Sequence, residues 1–179
     1  ARNGLAARVL KDSKLVAAAL LPRTKAYHQI WVEGVKLKLD DSDYEDPLYG
    51  KTYLPRKFKV GFATPPHNDT DVLTNCLGFV AIEENGELAG YNLTAGGGMG
   101  MTHNNAKTYP RVADVIGFFT PEHIETVAKS VLMIHRDFGD RTDRKHARLK
   151  YVLADRGVEW FRGELEQRTG LRLEEPKPF

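Results

Sequence analysis

Only one cysteine, Cys76, occurs among the 179 residues. That excludes an internal disulfide, a cysteine-rich zinc site and a self-contained iron–sulfur cluster, which takes about four thiolates. No run approaches the roughly 20 apolar residues that cross a bilayer, and no basic, apolar, small-residue leader opens the sequence. A reducing cytoplasm is the expected compartment. The histidines (His28, His67, His103, His123, His135 and His146) lack any H-x-x-x-H or H-E-x-x-H spacing, so a histidine metal site is not expected. There is no Gly-x-Ser-x-Gly elbow, nucleophile–base pair or carboxylate dyad. Charge of one sign is also scarce: 26 Lys and Arg against 24 Asp and Glu leave +2, which argues against nucleic acid as a partner.

What is present describes a folded chain. Hydrophobic residues make up 41% and charged residues 28%, a globular balance, and the length suits a single domain over residues 1–179. Its charge is unevenly spread. Asp40, Asp41, Asp43, Glu45 and Asp46 form an acidic stretch, read as a solvated loop. Arg56-Lys57-Phe58-Lys59 and the segment from Arg141 to Lys150 are basic. Local positive charge points to an anionic ligand rather than a basic surface.

Leu5, Val9, Val16 and Leu20 predict a helix over 5–20, stopped by Pro22. A strand is expected within 26–39, around Tyr27, Ile30, Trp31 and Val32, and another over 57–63. Phe79–Ile82 and Leu88–Leu93 flank Asn85-Gly86, the signature of a β-hairpin whose turn needs positive φ. Gly96–Gly100 reads as a loop. Thr120 is the expected N-cap of a helix opened by Pro121, with Ile124, Val127, Ala128, Val131, Leu132 and Phe138 as its buried stripe. Two further helices, about 144–155 and 158–169, are parted by Gly157, and Gly170 caps the second. Strands in the middle and helices at the end predict an α+β fold, a mixed sheet with a hairpin covered by helices.

Three segments carry candidate chemistry. On a strand, Lys57 and Lys59 project to one side and Arg56 with Phe58 to the other. Two ammonium groups on one face suit an anion, or else guard a sheet edge. The glycine run can form an anion-binding nest through Gly97 and Gly98, or simply a sharp turn. Arg141, Arg144, Lys145 and Arg148 fall at helical spacings of three and four on one face, where guanidiniums make forked grips on carboxylates. His135 belongs to an apolar stripe and is expected in the core. His103, beyond the glycine loop, is kept as a possible site residue, and Cys76 is expected to be a small buried hydrophobe.

Taken together, Tyr53-Leu-Pro-Arg-Lys-Phe-Lys59, Pro65-Pro-His-Asn-Asp69, Ala81-Ile-Glu-Glu-Asn-Gly86, Gly96-Gly-Gly-Met-Gly100, Thr108-Tyr-Pro-Arg111, Arg141-Thr-Asp-Arg-Lys145 and Lys150-Tyr151 resemble, in order, the sulfite reductase hemoproteins of the nitrite/sulfite reductase family. The likeness runs from Leu20-Leu-Pro-Arg-Thr24 to Gly170. It implies an oxidoreductase that reduces sulfite to sulfide with six electrons, at a sirohaem coupled to a 4Fe–4S cluster, in sulfur assimilation and cysteine biosynthesis. It implies Lys57 and Lys59 as catalytic residues on the sulfite-binding face. It matches Arg56 and Arg148 to residues that grip sirohaem carboxylates, and Arg144, Lys150, Gly97 and Gly98 are counted with that cofactor-binding set. No residue is assigned to a metal. Implied partners are sulfite, an NADPH-dependent flavoprotein or ferredoxin as electron donor, and the remaining domains of the same enzyme.

Complete members are several times longer and carry Cys-x5-Cys and Cys-x3-Cys motifs that are missing here. The chain is therefore expected to be a sirohaem-binding module of a longer enzyme and catalytically silent alone. Nitrite reduction is the alternative within the family, although nitrite enzymes tend to carry Trp-Asn where this chain has Phe58-Lys59. A non-enzymatic anion or nucleic-acid binding module using the 141–150 face is the alternative outside it. Steep salt dependence would mark that module, and a Soret band the haem site.

Overall fold

The β-hairpin around Asn85-Gly86 organises the chain. A computed structural model describes residues 2–23, 30–37 and 45–179. In it, β4 (Leu77–Glu84) and β5 (Glu87–Ala95) pair antiparallel on either side of the turn. Asn85 and Gly86 sit at φ 54° and 84°, the positive-φ pair that a two-residue hairpin turn demands. β6 (Asp114–Phe119) extends the sheet antiparallel beyond β5, while β3 (Val60–Ala63) runs parallel to β4, so the order is β3-β4-β5-β6. The mixed α+β sheet expected from the sequence is thus present. A separate two-stranded ribbon, β1 (Ile30–Val32) with β2 (Val35–Leu37), stands where a single strand was expected. Residues 26–29, 38 and 39, and the acidic residues 40–44, lie outside the described residues.

Alternation along the strands sorts the sheet into two faces. Leu77, Phe79 and Ala81 of β4 and Tyr91, Leu93 and Ala95 of β5 join one continuous core with the helices, whereas Val80 packs with Ala63 and Val72 on the opposite face. The helical layer comprises α1 (Arg2–Ala19), α2 (Ile124–Phe138), α3 (Leu149–Arg156) and α4 (Val158–Thr169). α1 buries Leu5, Val9 and Val16 and is pinned to β5 by a buried Asp12 carboxylate. That carboxylate accepts from Tyr91 Oη at 2.7 Å and Arg8 Nε at 3.1 Å. The C-terminal tail guards the open edge of β6 through paired backbone bonds between Phe118 and Glu174, each 2.9 Å.

Two boundaries and one loop residue differ from expectation. Pro121–His123 is a 3-10 turn, and α2 begins only at Ile124. Thr120 Oγ1 bonds Glu122 Oε1 at 2.5 Å instead of capping backbone N–H groups. The strand expected over 57–63 is regular only from Val60, although Lys59 O already accepts from Leu77 N at 3.1 Å. Asp46, at the end of the acidic stretch, is not solvated: it is buried and accepts from the N–H groups of Arg23, Leu48 and Tyr49 at 2.7–3.0 Å.

Candidate functional site

The largest departure from the sequence reading lies where the last basic run was expected to open a helix. Residues 141–148 are turns and bends, and α3 starts at Leu149. Asp140 Oδ1 accepts from Thr142 N at 2.7 Å, Thr142 Oγ1 at 2.7 Å and Asp143 N at 3.1 Å, and Asp143 Oδ1 accepts from Lys145 N at 2.8 Å. These side chains take over backbone donors that a helix would have used internally. The hydrogen bonds to Thr142 and Asp143 hold the Asp140 carboxyl below its usual pKa. Arg141, Arg144, Lys145 and Arg148 therefore do not share a helical face, and they divide into two roles. Arg141 is a strap: it donates to the carbonyls of Thr52 (3.1 Å), Tyr53 (2.5 Å) and Arg136 (3.0 Å). That strap fixes the chain just before Arg56.

Arg144 and Arg148 instead face Arg56 across an open cleft. One lobe, about 460 Å³, is lined by Leu54, Pro55, Arg56, Lys57, Arg144 and Arg148. A second, about 410 Å³, shares Arg56, Arg144 and Arg148 and adds Lys145, Asp143, the loop residues Gly100, Met101, Thr102 and Thr108, and Tyr151. Among the described residues, none of these five cations lies within ion-pair distance of a carboxylate. Gly100 keeps the floor low, for a Cβ there would stand 3.2 Å from Arg148 Nη2. Lys57 and Lys59 are both exposed on either side of half-buried Phe58, but all three lie before β3 begins at Val60. Lys59 lines neither lobe. Arg56 sits in a bend and shares the cleft wall with Lys57, so the alternation does not reach it.

The remaining expected site residues lie behind the cleft. Lys150 is fully buried, and its Nζ donates to Gly98 O at 3.0 Å, Gly100 O at 2.8 Å and Tyr109 O. An ammonium has three protons, and here all three are spent on carbonyls. Burial first, and then the Arg148 charge, hold its pKa below the ordinary lysine value. It staples the glycine loop to α3 rather than facing a ligand. The loop is not an open anion nest either. Gly97 N donates to Asn75 O at 2.9 Å and Gly98 N to Arg111 O at 2.8 Å. A Cβ on Gly97 would stand 2.3 Å from Leu73 O, so close backbone packing explains this glycine.

His103 is exposed on a tight turn outside both lobes. Cys76 is buried, and burial raises its thiol pKa, as expected of a small core residue. His135 is fully buried in the core. Met101, Thr102, Thr108 and Tyr151 were missed as cleft residues. The motifs Thr108-Tyr109-Pro110-Arg111 and Lys150-Tyr151 were the available signal, but nothing in them says that two distant segments meet. Among the described residues no helix is long and apolar enough to cross a membrane, and no group of His, Cys, Asp and Glu could hold a metal ion.

Residues 11–173 match the family model for the nitrite and sulphite reductase 4Fe-4S domain. The chain is 54% identical over 164 residues to a sulfite reductase (NADPH) hemoprotein beta-component from Myxococcus xanthus, covering 92% of this chain and 29% of that protein. It is 52% identical over 168 residues to the protein of that name from Oceanobacillus iheyensis, covering 94% of this chain and 29% of the relative. It thus spans about 30% of the length of the curated relatives it matches. Among solved structures it resembles the Mycobacterium tuberculosis NirA protein, with a TM-score of 0.58 and 28% identity over 70% of this chain and 22% of that one.

Proposed function

Because this chain belongs to the nitrite and sulphite reductase 4Fe-4S family, we propose that it is the sirohaem- and sulfite-binding module of a longer sulfite reductase. The observation that carries this reading is the cleft in which Arg56, Lys57, Arg144, Lys145 and Arg148 meet without carboxylate partners among the described residues. Like charges so gathered repel by about 1 kcal/mol per pair at 4 Å in bulk water and more as water is excluded. A polyanion relieves that repulsion. The donor set fits sirohaem, whose rim is a ring of carboxylates: Arg56, Arg144 and Arg148 offer planar forks, with Lys145 beside them as a point charge. The set does not fit a 4Fe–4S cluster, since the chain has a single, buried cysteine. The cluster thiolates and the iron's sulfur ligand come, in this reading, from the rest of the polypeptide.

When bound, the sirohaem would supply the iron at which sulfite is reduced. The residues of this chain hold the anion and deliver protons. Sulfite loses its three oxygens as water, so each departing oxygen needs two protons. The exposed ammonium groups of Lys57 and Lys59 can donate to those oxygens and offset their charge as it builds. The further parts of the proposal are an NADPH-dependent flavoprotein or ferredoxin as electron donor, a cytoplasmic setting, a role in cysteine biosynthesis, and one module over residues 1–179.

The test uses the full-length enzyme. Lys57→Met and Lys59→Met should each lower kcat/KM for sulfite by about a hundredfold or more, with the Soret band retained. Activity within about twofold of wild type would overturn the catalytic assignment. Sulfite and nitrite are assayed side by side, and preferential nitrite turnover would favour the other activity that the family name covers.

A further inference from the structure

The five cations of the cleft sit on two chain segments, 56–57 and 144–148, far apart in sequence, and a buried ring lies between those segments. His135, on α2, stacks on Phe58, the residue between Lys57 and Lys59, with ring centroids 5.8 Å apart and an interplanar angle of 26°. Its Nε2 lies 2.9 Å from the carbonyl oxygen of Ala147, the residue before Arg148. Its own carbonyl accepts from Gly139 N at 3.0 Å. A Cβ on Gly139 would stand 2.5 Å from Pro55 Cγ and 3.0 Å from His135 Cδ2, so Pro55, the residue before Arg56, is pressed into the same corner. Arg56, Lys57, Lys59 and Arg148 are thus each next in sequence to a residue held in this corner.

We infer that His135 is a positioning residue: through Phe58 and Ala147 it fixes the spacing between the two cation-bearing segments, and so the affinity of the cleft for its anion. The ring touches no ligand itself. The neutral ring satisfies the geometry with Nε2–H donating to Ala147, which leaves the buried Nδ1 as an acceptor without a partner among the described residues. A structure that needed only apolar filler there would not tolerate an unmade hydrogen bond. In terms of anion binding the inference rests on the function proposed above, but the coupling between segments can be read without it.

The experiment uses the full-length haem-loaded enzyme. His135→Phe keeps a ring against Phe58 and loses the donor to Ala147; His135→Gln keeps a donor and loses the ring. Hydrogen exchange at segments 55–60 and 146–150 is followed by mass spectrometry, alongside KM and kcat for sulfite per haem. If the ring couples the two segments, each variant speeds exchange in both by about tenfold. Each also raises KM by about tenfold with haem content unchanged. Exchange that rises only at the segment directly deprived of its contact, or an unchanged KM, overturns the inference. Should both variants fail to fold, Gly139→Ala, which wedges Pro55 away from the ring, must raise KM and exchange at 55–60, and an unchanged pair overturns it. A wild-type enzyme without sulfite turnover would sink the proposed function, while the exchange pattern would still decide the role of His135.

Discussion

His135 combines complete burial with a ring nitrogen, Nδ1, that has no hydrogen-bond partner among the described residues, and the burial sets a limit on acid tolerance. Burial is the largest cause that pushes its pKa down from 6.5 to about 4; the bond to Ala147 opposes this, and the Arg141 charge adds to it. In the unfolded chain the imidazole takes up a proton near its ordinary value, whereas in the folded chain it resists until about pH 4. Stability is therefore fully present above pH 6.5 and is lost as the pH falls from there through about 4. The loss amounts to about 3 kcal/mol over that window. Asp137, where burial pushes the pKa up but hydrogen bonds to Arg136 and Arg168 outweigh it, and Asp140, held down by its hydrogen bond to Thr142, both sit below the usual carboxylate value and lose their contributions at more acidic pH. Denaturant titrations from neutral pH downward should show the steep section, and His135→Gln should flatten it. Equal slopes in the two proteins would show that other groups carry it. The apolar spacing of α2 placed His135 in the core from sequence alone. Its contacts with Phe58 and Ala147 were not legible, because both depend on segments arriving from elsewhere in the chain.

Among elements, the glycine loop and α3 form a unit whose links the sequence patterns did not show. A basic run with spacings of three and four reads as a helix, yet Asp140 and Asp143 bind nearby backbone N–H groups and hold residues 141–148 in turns. The resemblance counts Lys150 with the cofactor-binding set. Instead its ammonium crosses from α3 to the carbonyls of Gly98, Gly100 and Tyr109. Lys150→Met should destabilise the protein by about 2–4 kcal/mol, since those buried carbonyls lose their donor. It should also speed hydrogen exchange over 98–109 while leaving the hairpin 77–95 protected. A melt within about 1 °C of wild type would refute the staple. The hairpin needed no such help: Asn85-Gly86 and its flanking alternation were enough to place β4 and β5, because turn, register and face all lie within one local stretch.

For the molecule as a whole, the decisive fact is proportion. The chain matches the family model over residues 11–173 but spans only 29% of the Myxococcus xanthus and Oceanobacillus iheyensis relatives. It has one cysteine, buried at position 76, so it cannot supply cluster thiolates. The isolated chain should therefore not oxidise reduced methyl viologen in response to sulfite, whereas the full-length enzyme should. Sulfite-dependent oxidation by the 179-residue chain alone would show that the division of labour proposed here is wrong.

By itself, the amino-acid sequence determined the α+β sheet with its hairpin, the apolar stripes of the helices, and the resemblance to the nitrite/sulfite reductases. These follow from periodicity, turn chemistry and ordered motifs, all of which act over short range. Only the tertiary structure decided which cations share a cleft. It set Arg56 opposite Arg144 and Arg148, turned Lys150 inward and closed the glycine loop on its own backbone. Those outcomes depend on which buried donors and acceptors find partners across long stretches of chain, a competition that local spacing does not record.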